Sequence, residues 1–245
     1  MRKRLDLVLV ERGLVPTRSR ARDLIKGLKV LVDGEACTKP GAEVDEDEEV
    51  TLREAGVPAV SRGGAKLAAA LASFEFDPTG LVALDVGAST GGFTEVLLAR
   101  GATKVYAVDV GHGQLHASLR DNPRVVSFEG CDARALTRAL IPEPVAAIVA
   151  DVSFISLTKA LLPALGLATP GAWLVALIKP QFEVGRGGVG KGGIVREAVA
   201  RQQAVDSVTA WISAQDGWRI AGVVPSPIKG GSGNEEYLLG ARWDG

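Results

Sequence analysis

The chain has 245 residues, of which 47% are hydrophobic, and its formal net charge at pH 7 is −1. This length suits one large domain with a small one beside it, and no apolar run approaches the roughly 20 residues that span a bilayer. The basic start Met1–Arg4 lacks the apolar stretch of a secretory signal. With two cysteines and two histidines, we expect no disulfide framework, no metal site, no membrane contact and a cytoplasmic location.

Charge is distributed unevenly near the N-terminus. Residues 1–29 hold nine Lys or Arg and three acidic residues. Residues 30–54 hold two Lys or Arg and nine acidic residues. Thr17 is a suitable cap for a helix from Arg18 to about Leu28. Its basic residues recur every four positions on one face, namely Arg18, Arg22 and Lys26. Charge alone favours a solvated surface and a nucleic-acid contact about equally.

A small sheet is predicted after this helix. Residues 30–32 and 35–37 flank an Asp33-Gly34 turn, which is typical of a β-hairpin. A short strand at 49–52 would close the sheet. Residues 54–60 include Gly and Pro and predict a linker, so we divide the chain into domains at 1–53 and 61–245.

The most informative stretch runs from Asp85 to Thr94. An apolar strand at 81–86 leads into a glycine turn, and a helix is predicted at 91–100. Gly87 and Gly91 would let the backbone turn sharply and let a ligand approach, and the helix start offers free N–H groups. The next strand, at 104–109, ends in Asp109, whose carboxylate suits ribose hydroxyls. The pattern predicts a nucleoside-cofactor site.

Further strands and helices alternate along the rest of the chain. A helix opens near Lys66, strands are predicted at 124–128, 145–150, 172–178, 219–225 and 235–241, and a long helix at 196–215. This order predicts a seven-stranded, mainly parallel sheet with helices on both faces. Ligands of such sheets bind beyond the carboxyl ends of the strands.

Charged residues follow several of these strands. Asp151 follows the strand at 145–150 and Lys179 follows the strand at 172–178. A lysine beside a carboxylate is either anchored or activated, and to act as a base its pKa must fall from about 10.4. Lys66 would supply the positive charge that lowers it, and Glu236 would orient Lys66.

Two resemblances extend these predictions. The stretch from Arg4-Leu5-Asp6 through Thr17-Arg18-Ser19-Arg20-Ala21 to Asp33-Gly34 resembles an RNA-binding module of a small-subunit ribosomal protein and of bacterial pseudouridine synthases. It implies RNA contact through the Arg18 face. Five blocks look like the TlyA (hemolysin A) family, which joins this module to an FtsJ-like methyltransferase domain. They are Ser61–Leu67, Asp85–Thr94, Ala150–Ser156, Ile178–Glu183 and Gly233–Tyr237.

The resemblance implies a Rossmann-like class I methyltransferase preceded by a small α+β RNA-binding domain. It implies S-adenosylmethionine as cofactor and a ribosomal RNA ribose 2′-hydroxyl, usually of cytidine, as acceptor, on RNA or ribosomal subunits. It also implies a catalytic tetrad of Lys66, Asp151, Lys179 and Glu236. Adjacent Glu235 keeps the fourth member open, although the pattern Gly-Asn-any-Glu-Tyr favours Glu236. If the last strand includes both acids, they point to opposite faces.

The predicted roles follow from this resemblance. Lys179 would take the hydroxyl proton, Asp109 would hold the cofactor ribose, and Asp132 would meet the adenine edge. The predicted cofactor-binding residues are Asp85, Gly87, Ala88, Ser89, Gly91, Gly92, Phe93, Asp109, Asp132 and Asp151. The predicted RNA-binding residues are Arg18, Arg20, Arg22, Lys26, Arg62, Arg186 and Lys191.

Other enzyme classes explain less of the sequence. A nicotinamide dehydrogenase would share the first two motifs but not the paired Asp151 and Lys179. A base amino-methyltransferase typically has a double-proline motif where this chain has Asp151-Val152-Ser153-Phe154, and neither Cys37 nor Cys131 suits a cytosine-C5 enzyme. The spacing in residues 185–191 matches a phosphate loop, but Gly192 replaces the required Ser or Thr. We interpret that segment as a mobile basic lid or a plain loop.

Two non-enzymatic alternatives are also considered. The hemolysin name suggests membrane lysis, but the chain has no segment long and apolar enough to insert. A ribosome-binding or assembly factor with a retained cofactor pocket is the serious alternative, and the intact tetrad disfavours it. Nothing in the sequence indicates an oligomeric state.

Overall fold

The structure is a computed structural model that describes residues 2–15, 17–26, 29–45, 47–52, 61, 63–185, 188–190, 192–230 and 233–245. The side chains of Arg20 and Asp23 and the predicted linker at 54–60 lie outside the described part. Within it, no helix is long and apolar enough to cross a membrane.

Two short helices and five short strands form the N-terminal unit. The elements are β1 Lys3–Arg4, α1 Leu5–Glu11, α2 Arg18–Lys26, β2 Val30–Val32, β3 Glu35–Ala36, β4 Glu43–Val44 and β5 Val50–Leu52. Strand β1 pairs with β4, and β2 lies between β3 and β5, all antiparallel. The predicted hairpin and closing strand are therefore confirmed, whereas α1 was not predicted.

The two helices of this unit pack through apolar positions spaced four residues apart. Leu5 and Leu9 on α1, with Ala21 and Ile25 on α2, are fully buried. They share a core with strand residues such as Val30. The opposite face of α2 is exposed at Arg18, Arg22 and Lys26, so the amphipathic pattern predicted this helix correctly.

The larger unit alternates strands and helices. Its elements are α3 Gly63–Phe74, β6 Val82–Val86, α4 Gly92–Ala99, β7 Lys104–Asp109, α5 Ala117–Arg120, β8 Val125–Glu129, β9 Val145–Ala150, α6 Leu157–Leu165, β10 Ala168–Ile178, α7 Pro180–Glu183, α8 Ala198–Ser213, β11 Trp218–Pro225 and β12 Tyr237–Trp243. All seven predicted strands form. Strand β12 begins two residues later than predicted, and α6 was not predicted.

The seven strands form one sheet in the order β11-β12-β10-β9-β6-β7-β8. Strand β12 is antiparallel to both neighbours, and the pairs among β10, β9, β6, β7 and β8 are parallel. The chain moves outward from β6 to β8 and then returns past β6 to β9. The crevice between the carboxyl ends of β6 and β9 is therefore the expected ligand site.

Helices cover both faces of the sheet. On one face, Leu67 of α3 and Leu97 of α4 share a core with strand residues such as Val105. On the other face, α6 and α8 pack in the same way, and Leu161 of α6 shares a core with Leu84 and Ile148 of the sheet. Burial of the central strands on both faces explains why they read as continuous apolar runs. The predicted fold class is confirmed.

Candidate active site

Two lysine–carboxylate pairs lie at the carboxyl edge of the sheet. Lys66 Nζ is 2.6 Å from Glu236 Oε2, and Lys179 Nζ is 2.6 Å from Asp151 Oδ1. Lys179 Nζ also donates a hydrogen bond to Ser153 Oγ at 2.8 Å. The structure therefore brings together all four residues of the predicted tetrad as two ion pairs.

The sheet register explains this grouping. Val86 at the end of β6 pairs with Ala150 at the end of β9, so Asp151 leaves the sheet beside the glycine turn. Ile178 at the end of β10 pairs with Tyr237 at the start of antiparallel β12. Lys179 and Glu236 therefore lie at the same edge as Asp151, although one follows a strand and the other precedes one.

Glu236, rather than Glu235, contacts the lysine. The Glu236 side chain is 3% exposed and pairs with Lys66, whereas that of Glu235 is 49% exposed and lies 3.0 Å from Arg201 Nε. Both acids precede β12, so strand alternation does not separate them as the sequence suggested. Gly230 packs closely on the Glu236 carboxylate, because a Cβ there would lie 2.2 Å from Oε1.

A large cavity of about 1270 Å³ opens at the crevice between β6 and β9. Among the predicted cofactor residues, its lining includes Gly87, Ser89, Asp109, Asp132 and Asp151. A second cavity of about 320 Å³ adjoins it, since both are lined by Gly87, Ser89, Asp151 and Ser153. Ala88, Gly92 and Phe93 line only the smaller one, together with Lys66 and Lys179.

Asp109 occupies the position expected of a ribose ligand. Its Oδ2 accepts a hydrogen bond from the backbone N–H of Ser89 at 2.8 Å, and its Oδ1 accepts one from Gly111 at 2.7 Å. A carboxylate has about four lone-pair sites, so two remain for hydroxyl groups in the cavity. These contacts also hold the turn after β6 against the loop after β7.

Asp85 does not reach either cavity, and its prediction as a direct cofactor ligand is wrong. The residue is fully buried, and Thr94 Oγ1 donates a 2.6 Å hydrogen bond to its Oδ2. Among the described residues, Oδ1 has no hydrogen-bond partner. Burial raises the pKa of Asp85 to about 7. The carboxyl group therefore joins β6 to α4 beneath the turn and supports the site from below.

The glycines of the turn are required by the packing of the protein around them. Gly87 has a φ of +83°, and a Cβ there would lie 2.7 Å from the carbonyl oxygen of Asp151. Gly91 has a φ of +97°, and its Cβ would lie 2.2 Å from Leu119 Cδ1. Gly91 lines neither of the two cavities. The predicted sharp turn is thus confirmed at both residues, and the groups that approach them are the segment after β9 and α5, whereas the approach of a ligand stays a prediction.

Asp132 lines the large cavity but is already engaged by a neighbour. Its carboxylate accepts hydrogen bonds from Arg134 through Nε at 3.0 Å and Nη2 at 2.5 Å. These side-chain bonds, with one from the Arg134 backbone N–H, lower the pKa of Asp132 to about 2. The predicted contact with an adenine edge would therefore be made by an arginine-bound carboxylate.

The chain matches known proteins over nearly its whole length. Residues 59–243 match the FtsJ-like methyltransferase model and residues 3–50 match the S4 domain model. The chain is 48% identical, over 98% of its length, to a Mycobacterium tuberculosis protein named 16S/23S rRNA (cytidine-2'-O)-methyltransferase TlyA, and it covers 90% of that protein. The chain belongs to the TlyA family of FtsJ-like methyltransferases.

Two further relatives agree with this TlyA assignment. Hemolysin A of Brachyspira hyodysenteriae is 40% identical, over 96% of this chain and 98% of that protein. A solved structure of a hemolysin-named protein from Streptococcus thermophilus is 39% identical and has a TM-score of 0.74. The match covers 99% of this chain and 88% of that protein. The predicted resemblance is therefore confirmed.

Several site residues of this TlyA-family chain were not found from the sequence. Ser153 holds Lys179, and exposed Lys229 lines the smaller cavity. Glu129 at the end of β8 lines neither cavity, but it accepts backbone hydrogen bonds from Leu115, Gly113 and Gln114, which lower its pKa and hold the loop after β7. Its position at the end of a strand could have drawn attention to it, because the same position led to the prediction of Asp109.

Phe154 is the most exposed of these additional residues. Its side chain is 91% exposed, its φ is +66°, and its ring lies 5.2 Å from that of Phe182 between centroids. A bulky residue with positive φ is strained, and such strain concentrates at functional sites. Both rings line the large cavity, so an aromatic pair stands beside Asp151 and Lys179.

The predicted RNA-binding residues fall into two groups. Arg18 and Arg22 are about half exposed and pair with Asp6, and Lys26 is exposed on the same helix. The side chain of Arg20, and Arg62, Arg186 and Lys191, lie outside the described residues. The predicted lid at 185–191 is described only in part. No cluster that could hold a metal ion occurs among the residues that the structure describes.

Proposed function

We propose that this protein transfers a methyl group from S-adenosylmethionine to a ribose 2′-hydroxyl of ribosomal RNA, with cytidine as the expected target. The family membership supports the reaction class, and the M. tuberculosis relative is named for this activity. The observation that carries the proposal is the meeting of the Asp151–Lys179 and Lys66–Glu236 pairs at the smaller cavity, which adjoins the large one.

The residues around the large cavity fit S-adenosylmethionine. Asp109 presents a carboxylate to a ribose, and the turn from Gly87 to Ser89 gives backbone contact without bulky side chains. Helix α4 begins at Gly92 beside this turn, so its free N–H groups favour a carboxylate such as that of a methionine moiety. When bound, this cofactor supplies a methyl group on positively charged sulfur.

We assign proton removal to Lys179. Asp151 and Ser153 contact its Nζ from two directions, so the nitrogen is held in one place. The neutral amine of a lysine can accept a proton from a hydroxyl group. Lys66 lines the same small cavity as Lys179. Lys179 Nζ would take the proton of the 2′-hydroxyl, so that its oxygen could accept the methyl group that the bound cofactor supplies, with S-adenosylhomocysteine as the other product.

We assign a positioning role to Lys66 and Glu236. The Lys66 side chain is 10% exposed and its Nζ is fixed by Glu236, so a hydrogen bond from it to the ribose would hold the acceptor oxygen in one orientation. In-line arrangement of oxygen, methyl carbon and sulfur accounts for much of the acceleration expected of such an enzyme. Asp151 lines both cavities and so lies between the two substrates.

The RNA would reach this site through two further features. Exposed Phe154 offers a flat apolar face to an unstacked base, a contact typical of single-stranded RNA recognition. The N-terminal unit matches the S4 domain model and carries the basic face of α2. We assign phosphate contacts to Arg18, Arg22 and Lys26 and predict further ones from Arg20, Arg62, Arg186 and Lys191.

Methyl transfer can be tested on separated ribosomal subunits and on deproteinised ribosomal RNA. The protein is incubated with radiolabelled S-adenosylmethionine, and the RNA is digested to nucleosides for chromatography. We expect label in 2′-O-methylcytidine. Label in a base-methylated nucleoside would contradict ribose methylation. Tight subunit binding without any label would favour the assembly-factor alternative, and the same assay shows whether a subunit or free RNA is the substrate.

A further inference from the structure

A buried carboxylate lies at the centre of the basic face of the N-terminal unit. Asp6, in the first turn of α1, is fully buried. Arg4 donates to it twice, from Nε to Oδ1 at 3.1 Å and from Nη2 to Oδ2 at 3.2 Å. Oδ2 also accepts hydrogen bonds from Arg18 Nε at 2.9 Å and Arg22 Nε at 3.0 Å. Three guanidinium groups from β1 and α2 therefore converge on one carboxylate.

The pairing is strong enough to keep Asp6 ionised. Hydrogen bonds from Arg4, and then from Arg18 and Arg22, hold the pKa of Asp6 well below its usual range and outweigh the opposing effect of burial. A buried carboxylate is costly unless it is paired and hydrogen-bonded. Here its partners satisfy it, so the cluster is a stable arrangement with two positive charges in excess.

The arginine side chains remain available to a partner. Those of Arg4, Arg18 and Arg22 are 46%, 44% and 49% exposed. Arg18 and Arg22 contact Asp6 through Nε, and a guanidinium has five N–H donors. The terminal nitrogens can therefore donate to another acceptor while Nε stays bound. Arg4 also lies close to Gly41, because a Cβ at that position would lie 3.1 Å from Arg4 Nη1.

We propose that Asp6 is a positioning residue for RNA, which holds Arg4, Arg18 and Arg22 as a preformed binding surface for backbone phosphates. The proposal rests on the RNA-directed function proposed above and adds Arg4 to the surface predicted from the sequence. An acid within a phosphate-binding surface opposes affinity through its charge. It favours affinity by ordering long side chains before the RNA arrives, because free arginines lose rotamer freedom on binding.

These two effects have opposite signs, so one substitution separates them. Asp6→Asn raises the net charge by one and removes the anchor of the three arginines. If only charge matters, the variant binds ribosomal RNA more tightly and with a steeper salt dependence. If Asp6 positions the arginines, binding weakens despite the added charge, by roughly fivefold to fiftyfold. Glu49→Gln is the matched control, since it makes the same charge change at an exposed residue of the same unit.

Binding of the full chain to purified ribosomal subunits is measured across a range of salt concentrations. We expect Asp6→Asn to bind more weakly than the natural protein, and Glu49→Gln to bind equally or more tightly. S-adenosylmethionine affinity should not change in either variant. Equal or tighter binding by Asp6→Asn overturns the proposal. Absence of subunit binding and methyl transfer in the natural protein would instead contradict the proposed function.

A second variant separates positioning from folding. Arg22→Lys keeps the charge and leaves Asp6 paired with Arg4 and Arg18, but the single lysine nitrogen cannot bind Asp6 and a phosphate in the same fork geometry. We expect weaker subunit binding with an unchanged thermal midpoint. If Asp6→Asn is unfolded, this variant decides the question, and unchanged affinity in Arg22→Lys overturns the proposal.

Discussion

Lys66 and Glu236 form an ion pair of 2.6 Å between residues 170 positions apart in the chain. Their side chains are 10% and 3% exposed, so each is the main counter-charge of the other in a poorly solvated place. This pair joins the first turn of α3 to the entrance of β12, and its Lys66 lines the smaller cavity. Its geometry identifies which of two adjacent acids belongs to the site.

Glu236→Gln removes the charge and keeps an acceptor atom. Lys66 then lacks its counter-charge, which we expect to cost about 1–3 kcal/mol of folding stability and to lower methyl transfer by about tenfold or more. Urea unfolding and steady-state kinetics measure the two effects. Glu235→Gln is the matched control: because that side chain is 49% exposed, we expect a change within about 0.5 kcal/mol. If Glu235→Gln lowered stability and methyl transfer more than Glu236→Gln, Glu235 rather than Glu236 would be the partner of Lys66.

Lys179→Arg keeps the positive charge, but a guanidinium group stays protonated and cannot accept the hydroxyl proton. We expect S-adenosylmethionine affinity to survive, because Asp109 and the glycine turn are untouched. Methyl transfer should fall by roughly 10²-fold or more, as for loss of a general base. Calorimetry and single-turnover assays measure these quantities. Full activity in this variant would reduce Lys179 to an electrostatic anchor.

Asp109→Ala removes the carboxylate that faces the cavity and that holds the backbone of Ser89 and Gly111. We expect S-adenosylmethionine affinity to weaken by about 1–3 kcal/mol, because hydroxyl groups lose a charged acceptor. Titration calorimetry measures the affinity, and Asp121→Ala, at an exposed residue after α5, is the control. Unchanged affinity would contradict the assigned site, and binding of NAD in the same experiment would favour a dehydrogenase.

Asp85 should make stability depend on pH. Its pKa is raised to about 7 by burial, so between about pH 4 and pH 7 the folded state binds more protons than the unfolded state. Stability is therefore fully present below about pH 4 and falls as the pH rises through 7, by at most about 4 kcal/mol. Asp85→Asn lacks this titration. We expect the difference in thermal midpoint, variant minus natural protein, to grow from pH 4 to pH 7, whereas a flat difference would show that Asp85 is ionised when folded.

Gly87→Ala tests the close contact between the glycine turn and β9. Both Gly87 and Gly80 have positive φ, but a Cβ at Gly80 meets nothing within 4 Å. Gly80→Ala should therefore cost only the conformational penalty, about 1–2 kcal/mol. Gly87→Ala adds a clash with the Asp151 carbonyl group, so we expect a further loss of about 1–3 kcal/mol and a fall in methyl transfer as Asp151 shifts. Equal effects of the two substitutions would contradict this packing.

The sequence by itself determined the order and type of the main elements. Apolar runs predicted all seven strands of the large sheet, and the rule that parallel strands end at one edge predicted that Asp109, Asp151 and Lys179 would be neighbours. The family blocks then indicated the reaction. These inferences succeeded because hydrophobic periodicity and the order of the elements along the chain can be read from the local sequence. The edge of the sheet at which the carboxyl ends meet then follows from the strands being parallel.

Only the tertiary structure decided which side chains are partners. The sequence left the choice between Glu235 and Glu236 open, and the packing of α3 beside β12 brings Lys66 to Glu236. The sequence placed Asp85 at the ligand and Asp6 in no role, whereas the fold buries both. Among the described residues, Oδ1 of Asp85 has no hydrogen-bond partner, whereas the Asp6 carboxylate is enclosed by three arginines. Burial and pairing depend on contacts between distant segments, and the spacing of residues along a chain does not specify them.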